Sequence, residues 1–248
     1  MTPALRLAVW SGPRNISTAM LRSWGNRSDT VVVDEPFYAH YLARTGLQHP
    51  GRTEILASQP NDWCDVATTL LADLPADKSI FYQKMMAHHL FGDMYGDWLQ
   101  QLTHVFLLRR PDAMLVSLQK VIPAPGLSDT GLPQQFKLYQ HIRHSTGKAP
   151  LVMDAADLLA QPEPMLRRWC ELLDISFSSD MLQWPPGRRH SDGVWAEHWY
   201  ASVEASTGFQ QAPALRPVQL SAELQNVYDQ CLEYYQPLHQ LRLRLPEQ

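Results

Sequence analysis

Residues 9–19, Val-Trp-Ser-Gly-Pro-Arg-Asn-Ile-Ser-Thr-Ala, set a glycine–proline turn, one cation and two hydroxyls between a short apolar run and a segment with helical periodicity. Leu5, Leu7, Ala8 and Val9 read as a strand, and residues 16–27 read as a helix. The first turn of a helix has unpaired backbone N–H groups and the positive end of the dipole, so this strand–turn–helix suits an anion such as phosphate. Gly12, Pro13, Arg14, Asn15, Ser17 and Thr18 are its candidate contacts. A plain Gly-Pro turn before a helix fits the same eleven residues, and on this stretch alone both readings stand.

A Walker A loop ends in Gly-Lys-Ser/Thr, with the lysine on the β- and γ-phosphates and the hydroxyl on magnesium. Counting from Gly12, those three places hold Ser17, Thr18 and Ala19, which disfavours an ordinary ATPase or GTPase.

Short apolar runs alternate with longer amphipathic ones along the chain, the pattern of a parallel sheet wrapped by helices. Strands are expected at 5–10, 30–34, 79–83, 104–108 and 150–153. Helices are expected at 16–27, 63–74, 93–102, 111–121, 133–147, 165–174 and 221–241. The fold class is therefore α/β, a doubly wound and mainly parallel sheet flanked by helices. Such a fold binds ligands at the carboxyl ends of its strands, where Arg14, Glu35, Lys84 and Arg109 all fall. Residues 183–217, rich in Pro, Gly, Trp and charge, read as a lid or binding loop, and 122–133 as a loop.

With 248 residues and 45% apolar content, residues 1–248 are expected to form one domain. A net charge of −4 argues against a nucleic-acid partner or a broad anionic-membrane surface, so a polyanionic ligand would be met by a few local cations. Cys64, Cys170 and Cys231 are far apart and odd in number, which suits a reducing compartment. No signal-peptide pattern and no membrane-length apolar run is present, so a soluble, cytoplasmic protein is expected. His-Glu-x-x-His, paired cysteines and an EF-hand run are all missing, and His88-His89 with Asp93 lacks a third ligand, so no metal is expected to be required.

The Pro-Arg-x-x-Ser-Thr order of residues 13–18 resembles the 5′-phosphosulfate loop of sulfotransferases that use 3′-phosphoadenosine 5′-phosphosulfate (PAPS). A second match follows in His104-Val-Phe-Leu-Leu-Arg109, then Pro111 and Ser117. In that family a strand ends in arginine, a proline-started helix begins, and a serine eight residues beyond the arginine shares the 3′-phosphate with it. The chemistry is reasonable, because an arginine fork suits a phosphate dianion and a hydroxyl two turns into the helix completes the cradle. Residues 152–175 are similar to the late strand, Asp-Leu turn and proline-started helix of the same domain, so the resemblance covers about residues 5–180. It implies the P-loop NTPase-like sulfotransferase fold, PAPS as donor and a small-molecule acceptor with a hydroxyl or amine. Arg188 and Arg189 correspond by resemblance to the basic loop that closes on the 3′-phosphate. One departure is Ile16, where the family loop has glycine.

In-line sulfuryl transfer needs cations at the leaving oxygens and a base at the nucleophile. Arg14 is the first candidate for the cation and Lys84 the second. Glu35, in the strand-end Asp34-Glu35-Pro36, resembles the carboxylate base of carbohydrate and tyrosyl-protein sulfotransferases, and a structural ion pair with Arg14 or Arg22 is its other reading. His88, four residues after Lys84, competes as base. The aromatic stretch 194–200 reads either as core, through Trp195 and Trp199, or as a surface for adenine or acceptor. Two other functions stay open: an ATP-dependent small-molecule kinase, with Asp34 as its metal carboxylate, and a nucleotide-binding domain without turnover.

Overall fold

The computed structural model describes residues 4–210 and 220–246. Five strands, β1 (Leu5–Ser11), β2 (Thr30–Asp34), β3 (Ile80–Met86), β4 (Thr103–Leu108) and β5 (Leu151–Asp154), form one sheet in the order β2-β3-β1-β4-β5. All four pairings are parallel. Both faces of a parallel sheet are covered, which is why β3 is buried at all seven positions despite its Gln-Lys pair. Alternation along β1 sends Leu7 and Val9 to one face and Ala8 and Trp10 to the other.

The helices are α1 (Ser17–Gly25), α2 (Tyr38–Thr45), α3 (Arg52–Ser58), α4 (Trp63–Leu70), α5 (Pro111–Leu118), α6 (Leu132–Thr146), α7 (Ala155–Ala160), α8 (Pro162–Leu172), α9 (Ala196–Trp199), α10 (Ala201–Glu204) and α11 (Ala222–Gln240). Leu7 and Val9 pack with Met20, Leu21 and Trp24 of α1 and Leu166 and Trp169 of α8. Ala8 and Trp10 pack on the opposite side with Leu115 of α5, Leu138 of α6 and Leu238 of α11. A smaller cluster joins Tyr38, Ala39 and Leu42 of α2 to Ile55 of α3 and to Trp195, Ala196 and Tyr200. Together those residues cap the carboxyl edge near β2 and β3.

Several expected boundaries move. β3 runs three residues past its expected end because Met85 and Met86 continue the buried run, so Lys84 lies inside the strand. Residues 93–102 make no α-helix. Glycines at 92 and 96 interrupt the segment, and it forms short 3-10 turns at Gly92–Met94 and Leu99–Gln101. Within 183–210 the chain folds into α9 and α10 and closes with an antiparallel bridge between Gln183 and Gly208. The rest of that expected loop, through 217, includes residues 211–217, which lie outside the described residues. Among the described residues, no helix is long and apolar enough to cross a membrane.

Candidate active site

At the carboxyl ends of β1–β4 lies a cavity of about 990 Å³. The loop after β1 supplies its first wall. Arg14 adopts φ of +53°, a left-handed conformation that L-residues other than Asn or Asp take at a cost of roughly 1–2 kcal/mol. The surroundings hold it there. Its carbonyl accepts from Arg109 Nη1, and its Nε donates to Ser117 Oγ at 3.1 Å. Arg14, Arg109 and Ser117, 103 residues apart at the extremes, therefore meet at one spot in the cavity wall. Neither arginine makes an ion pair among the described residues. Burial and then the neighbouring Arg14 guanidinium lower the pKa of Arg109, against a smaller opposing effect of Asp112. Beside it, α1 begins with no side-chain cap and no acidic residue in its first turn, while Ser17 and Thr18 line the cavity.

The loop's other residues serve its shape. Asn15 Nδ2 donates to the Leu107 carbonyl at 2.9 Å and its Oδ1 accepts from Ile16 N at 2.8 Å, so this side chain is committed to the loop. Gly12 does not line the cavity. A Cβ at that position would sit 2.4 Å from the Thr130 carbonyl oxygen, so glycine there permits close packing on residues 130–131. Gln135, 1% exposed, donates to the Trp10 and Leu107 carbonyls at 3.2 and 3.1 Å and ties the ends of β1 and β4 together. Only its burial in an apolar core marks it, and nothing in its sequence surroundings signals that role.

The second wall is a buried charge cluster. Lys84, 1% exposed, donates to Asp34 Oδ1 at 2.7 Å, to Glu35 Oε1 at 2.5 Å and to Tyr200 Oη at 2.8 Å. All three of its N–H donors are thereby used. Tyr200 donates in turn to Asp34 Oδ2 at 2.6 Å and accepts from Trp195 Nε1 at 3.1 Å. Lys84, the second candidate for the leaving-group cation, thus lies within β3 and is ion-paired with Asp34 and Glu35. Burial works against its charge, but Asp34 and Glu35 outweigh that and hold it protonated well above the usual lysine range. For Glu35 burial dominates, Lys84 opposes it and Asp34 adds to it, so its carboxyl is raised above the ordinary range. The residue sits at φ of +41°, fixed by Glu35 N on the Lys84 carbonyl at 3.0 Å and by Tyr38 N and Gln59 Nε2 on its own carbonyl. Its ion-pair partner is Lys84, not Arg14 or Arg22.

Rings make the third wall. His88 lines the cavity, and burial together with His49 lowers its pKa to about 4. Trp199 also lines the cavity, whereas Trp195 is core at 2% exposure. Arg188 and Arg189 are not among the lining residues: Arg188 is exposed, and Arg189 N binds Asp192 Oδ2 at 2.7 Å. In the sequence nothing sets Tyr200 apart from the aromatic stretch 194–200 that contains it.

A family model described as "Sulfotransferase domain" matches residues 5–239. The chain belongs to the sulfotransferase family. Among solved structures, this sulfotransferase-family chain is similar to a sulfotransferase from Alicyclobacillus acidocaldarius, with a TM-score of 0.55, 10% identity and 98% of each chain covered. The sulfotransferase domain of the Synechococcus PCC 7002 olefin synthase gives a TM-score of 0.54 at 13% identity, covering 98% of this chain and 96% of that one. At these identities the likeness is one of fold, and it agrees with the five-stranded parallel sheet. Two Arabidopsis thaliana proteins are closer in sequence. Branched-chain-amino-acid aminotransferase-like protein 1 is 36% identical over 200 residues, 81% of this chain and 36% of that protein. Branched-chain-amino-acid aminotransferase-like protein 2 is 31% identical over 227 residues, 92% of this chain and 40% of that protein. The sulfotransferase-family chain thus spans about two fifths or less of either relative.

Proposed function

We propose that this chain transfers a sulfuryl group from PAPS to a hydroxyl or amine of a small acceptor. One observation carries the reading: a single cavity sets two guanidiniums, without acidic partners among the described residues, beside an uncapped helix start, and also holds a partly buried carboxylate of raised pKa. Arg109 and Ser117 serve the 3′-phosphate. Arg14, Ser17, Thr18 and the first-turn N–H groups of α1 serve the 5′-phosphosulfate. Glu35 takes the proton of the acceptor as its oxygen or nitrogen bonds to sulfur and the bond from sulfur to the phosphate oxygen breaks. The electron pair of that bond stays on the phosphate oxygen, where Arg14 meets the new charge.

The charge cluster favours Glu35 as base. Lys84, Asp34 and Glu35 together carry a net negative charge in a buried place, and a proton arriving on Glu35 neutralises it. His88, lowered to about 4, is a poorer proton acceptor at neutral pH. Lys84 then orients Glu35 and does not itself meet the leaving oxygen. Asp34, the acidic strand end a magnesium-dependent kinase would use, is held by Lys84 and Tyr200.

Calorimetric titration of the purified protein with 3′-phosphoadenosine 5′-phosphate, AMP, and ATP plus magnesium tests the donor site. Tight binding of the 3′-phosphorylated nucleotide without metal is the expected result. Preference for ATP with magnesium would overturn the reading in favour of a kinase.

A further inference from the structure

His88 is a polar group of the cavity wall that neither the paired arginines nor the charge cluster engages. It stands in the short 3-10 turn Ala87–His89 that follows β3, half-buried, with its ring in the lining. Tyr41 and His89 meet that ring edge to face, with centroids 5.3 and 4.5 Å away and interplanar angles of 85° and 73°. A Cβ at Gly131 would sit 3.4 Å from His88 Nδ1 and 3.6 Å from Pro13 Cδ, so the inner edge of the ring adjoins the loop after β1 that carries Arg14.

The two ring nitrogens are not equivalent. Nδ1 is buried and has no hydrogen-bond partner among the described residues. A neutral imidazole carries its one proton on either nitrogen, and orphaned N–H groups are rarer inside proteins than under-satisfied acceptors. The proton therefore belongs on Nε2, where water or a ligand can receive its hydrogen bond, and the bare lone pair stays on Nδ1. Protonating both nitrogens would bury that orphan N–H together with a charge. Burial and then His49 already lower the ring to about 4, and no carboxylate acts against them.

We infer that His88 is a fixed neutral donor, giving a hydrogen bond from Nε2–H to an oxygen of the sulfuryl group in transfer, and is not the base. This inference rests on the sulfuryl-transfer reading, which puts that group beside the loop after β1. The sulfuryl group carries three oxygens, and donors already in place at them stabilise the transition state without reorganising. His88 neither gains nor loses a proton in the step. The acceptor's proton passes to Glu35 as its oxygen or nitrogen bonds to sulfur, and the electron pair of the broken sulfur–oxygen bond stays on the phosphate.

3′-Phosphoadenosine 5′-phosphate lacks the sulfuryl group, so titrating it beside PAPS, with no acceptor present, isolates the contact. His88→Phe keeps a ring without a donor, whereas His88→Gln offers an amide N–H near the Nε2 position and cannot serve as a base. His88→Phe should weaken PAPS about fivefold or more and 3′-phosphoadenosine 5′-phosphate less than about twofold, and His88→Gln should restore PAPS to within about threefold of the wild type. Unchanged PAPS affinity in His88→Phe, equal weakening of both nucleotides, or no recovery in His88→Gln overturns the inference. Nitrogen-15 NMR of the histidine-labelled, unloaded protein reads the tautomer directly, with His88 assigned by the signals that His88→Gln removes. Nε2 should carry the proton, and Nδ1 none, between about pH 6 and 8. A proton on Nδ1, or a ring that titrates in this range, also overturns the inference. Should neither nucleotide bind the wild-type protein, the sulfuryl-transfer reading falls and the inference with it; nucleotide binding that is indifferent to His88 overturns the inference alone.

Discussion

Arg109 donates a hydrogen bond to the backbone carbonyl of Arg14, so two guanidiniums share one end of the cavity with no ion-pair partner among the described residues. Like charges brought together in a partly desolvated place cost stability unless an anion joins them, and Arg109 is lowered for that reason. A ligand phosphate that completes the site would convert this cost into affinity. Arg109→Ala and Ser117→Ala should each weaken 3′-phosphoadenosine 5′-phosphate by about 1.5–3 kcal/mol, the worth of a charge-assisted contact. Arg109→Ala should also leave the unloaded protein little changed or slightly more stable in urea. Unchanged nucleotide affinity in both variants removes these residues from the donor site.

Glu35, as the proposed base, would give the reaction a pH signature. Its carboxyl is raised above the ordinary value of 4.5, so the ionised base is lost as pH falls through that higher pKa. The acid limb of kcat/KM should therefore lie above the ordinary glutamate range. The stability sign runs the other way. The folded state binds this proton more tightly than the unfolded one, so the contribution to folding is greatest below about 4.3–4.5 and is lost as pH rises to the raised pKa. Glu35→Gln should reduce turnover by about 10²–10⁴-fold and flatten the acid limb, with nucleotide affinity nearly intact. Normal turnover in this variant would move the base to His88.

Tyr200 is the residue on which the charge cluster closes. Its hydroxyl accepts from Lys84 and Trp195 and donates to Asp34. Among the described residues, removing it leaves Trp195 Nε1 without an acceptor and Asp34 Oδ2 with only Gly193 N, 3.5 Å away. Tyr200→Phe should cost about 1–3 kcal/mol in a denaturant titration and lower turnover more than nucleotide affinity. Wild-type stability would mean that water replaces the hydroxyl and that the cluster does not depend on it.

What the sequence showed and what it hid follow from the range of the interactions. The β2 strand was legible to the residue, and β1, β4 and β5 to within one, because Val, Leu and Ile runs bounded by turn residues read locally. Arg14 and Arg109 were legible through strand-to-helix motifs that each fit within about ten residues. The burial of Lys84 was hidden because a buried lysine looks like a surface one until its partners, Asp34 fifty residues before it and Tyr200 116 after it, are brought together by the fold. α2 and α3 are hard to read because they are short, and their buried apolar residues cluster with Trp195 and Tyr200 from a distant segment. The bond from Asn15 to the β4 carbonyl of Leu107 was equally hidden, since an Asn after an arginine reads the same whether it faces a ligand or a carbonyl.

Residues 183–217 read from sequence as a lid or binding loop, and the fold pins the described part, 183–210, to the helix whose start lines the cavity. Arg22 of α1 and Asp192 form a two-pronged pair, with Nη2 on Oδ2 at 2.6 Å and side chains 1% and 0% exposed. Asp192 Oδ2 also accepts from Arg189 N, and Asn26 Nδ2 donates to the carbonyls of Asp180 and Gln183 at 2.8 Å. An isolated half of such a buried pair is far costlier than the pair is worth, so Asp192→Ala should destabilise by about 3–5 kcal/mol. The loss has a local form, because the carboxylate is the main polar tie between α1 and residues 187–195. Trypsin should cut the variant after Arg188 or Arg189 under conditions in which the wild type survives, before the far-ultraviolet circular dichroism is lost. Replacing both members, Arg22→Met with Asp192→Leu, should recover part of the stability but not the protection, because the backbone N–H of Arg189 would still lack its acceptor. Cleavage of Asp192→Ala that only follows global unfolding would show that packing of Trp184 and Trp195, not this pair, holds the segment down.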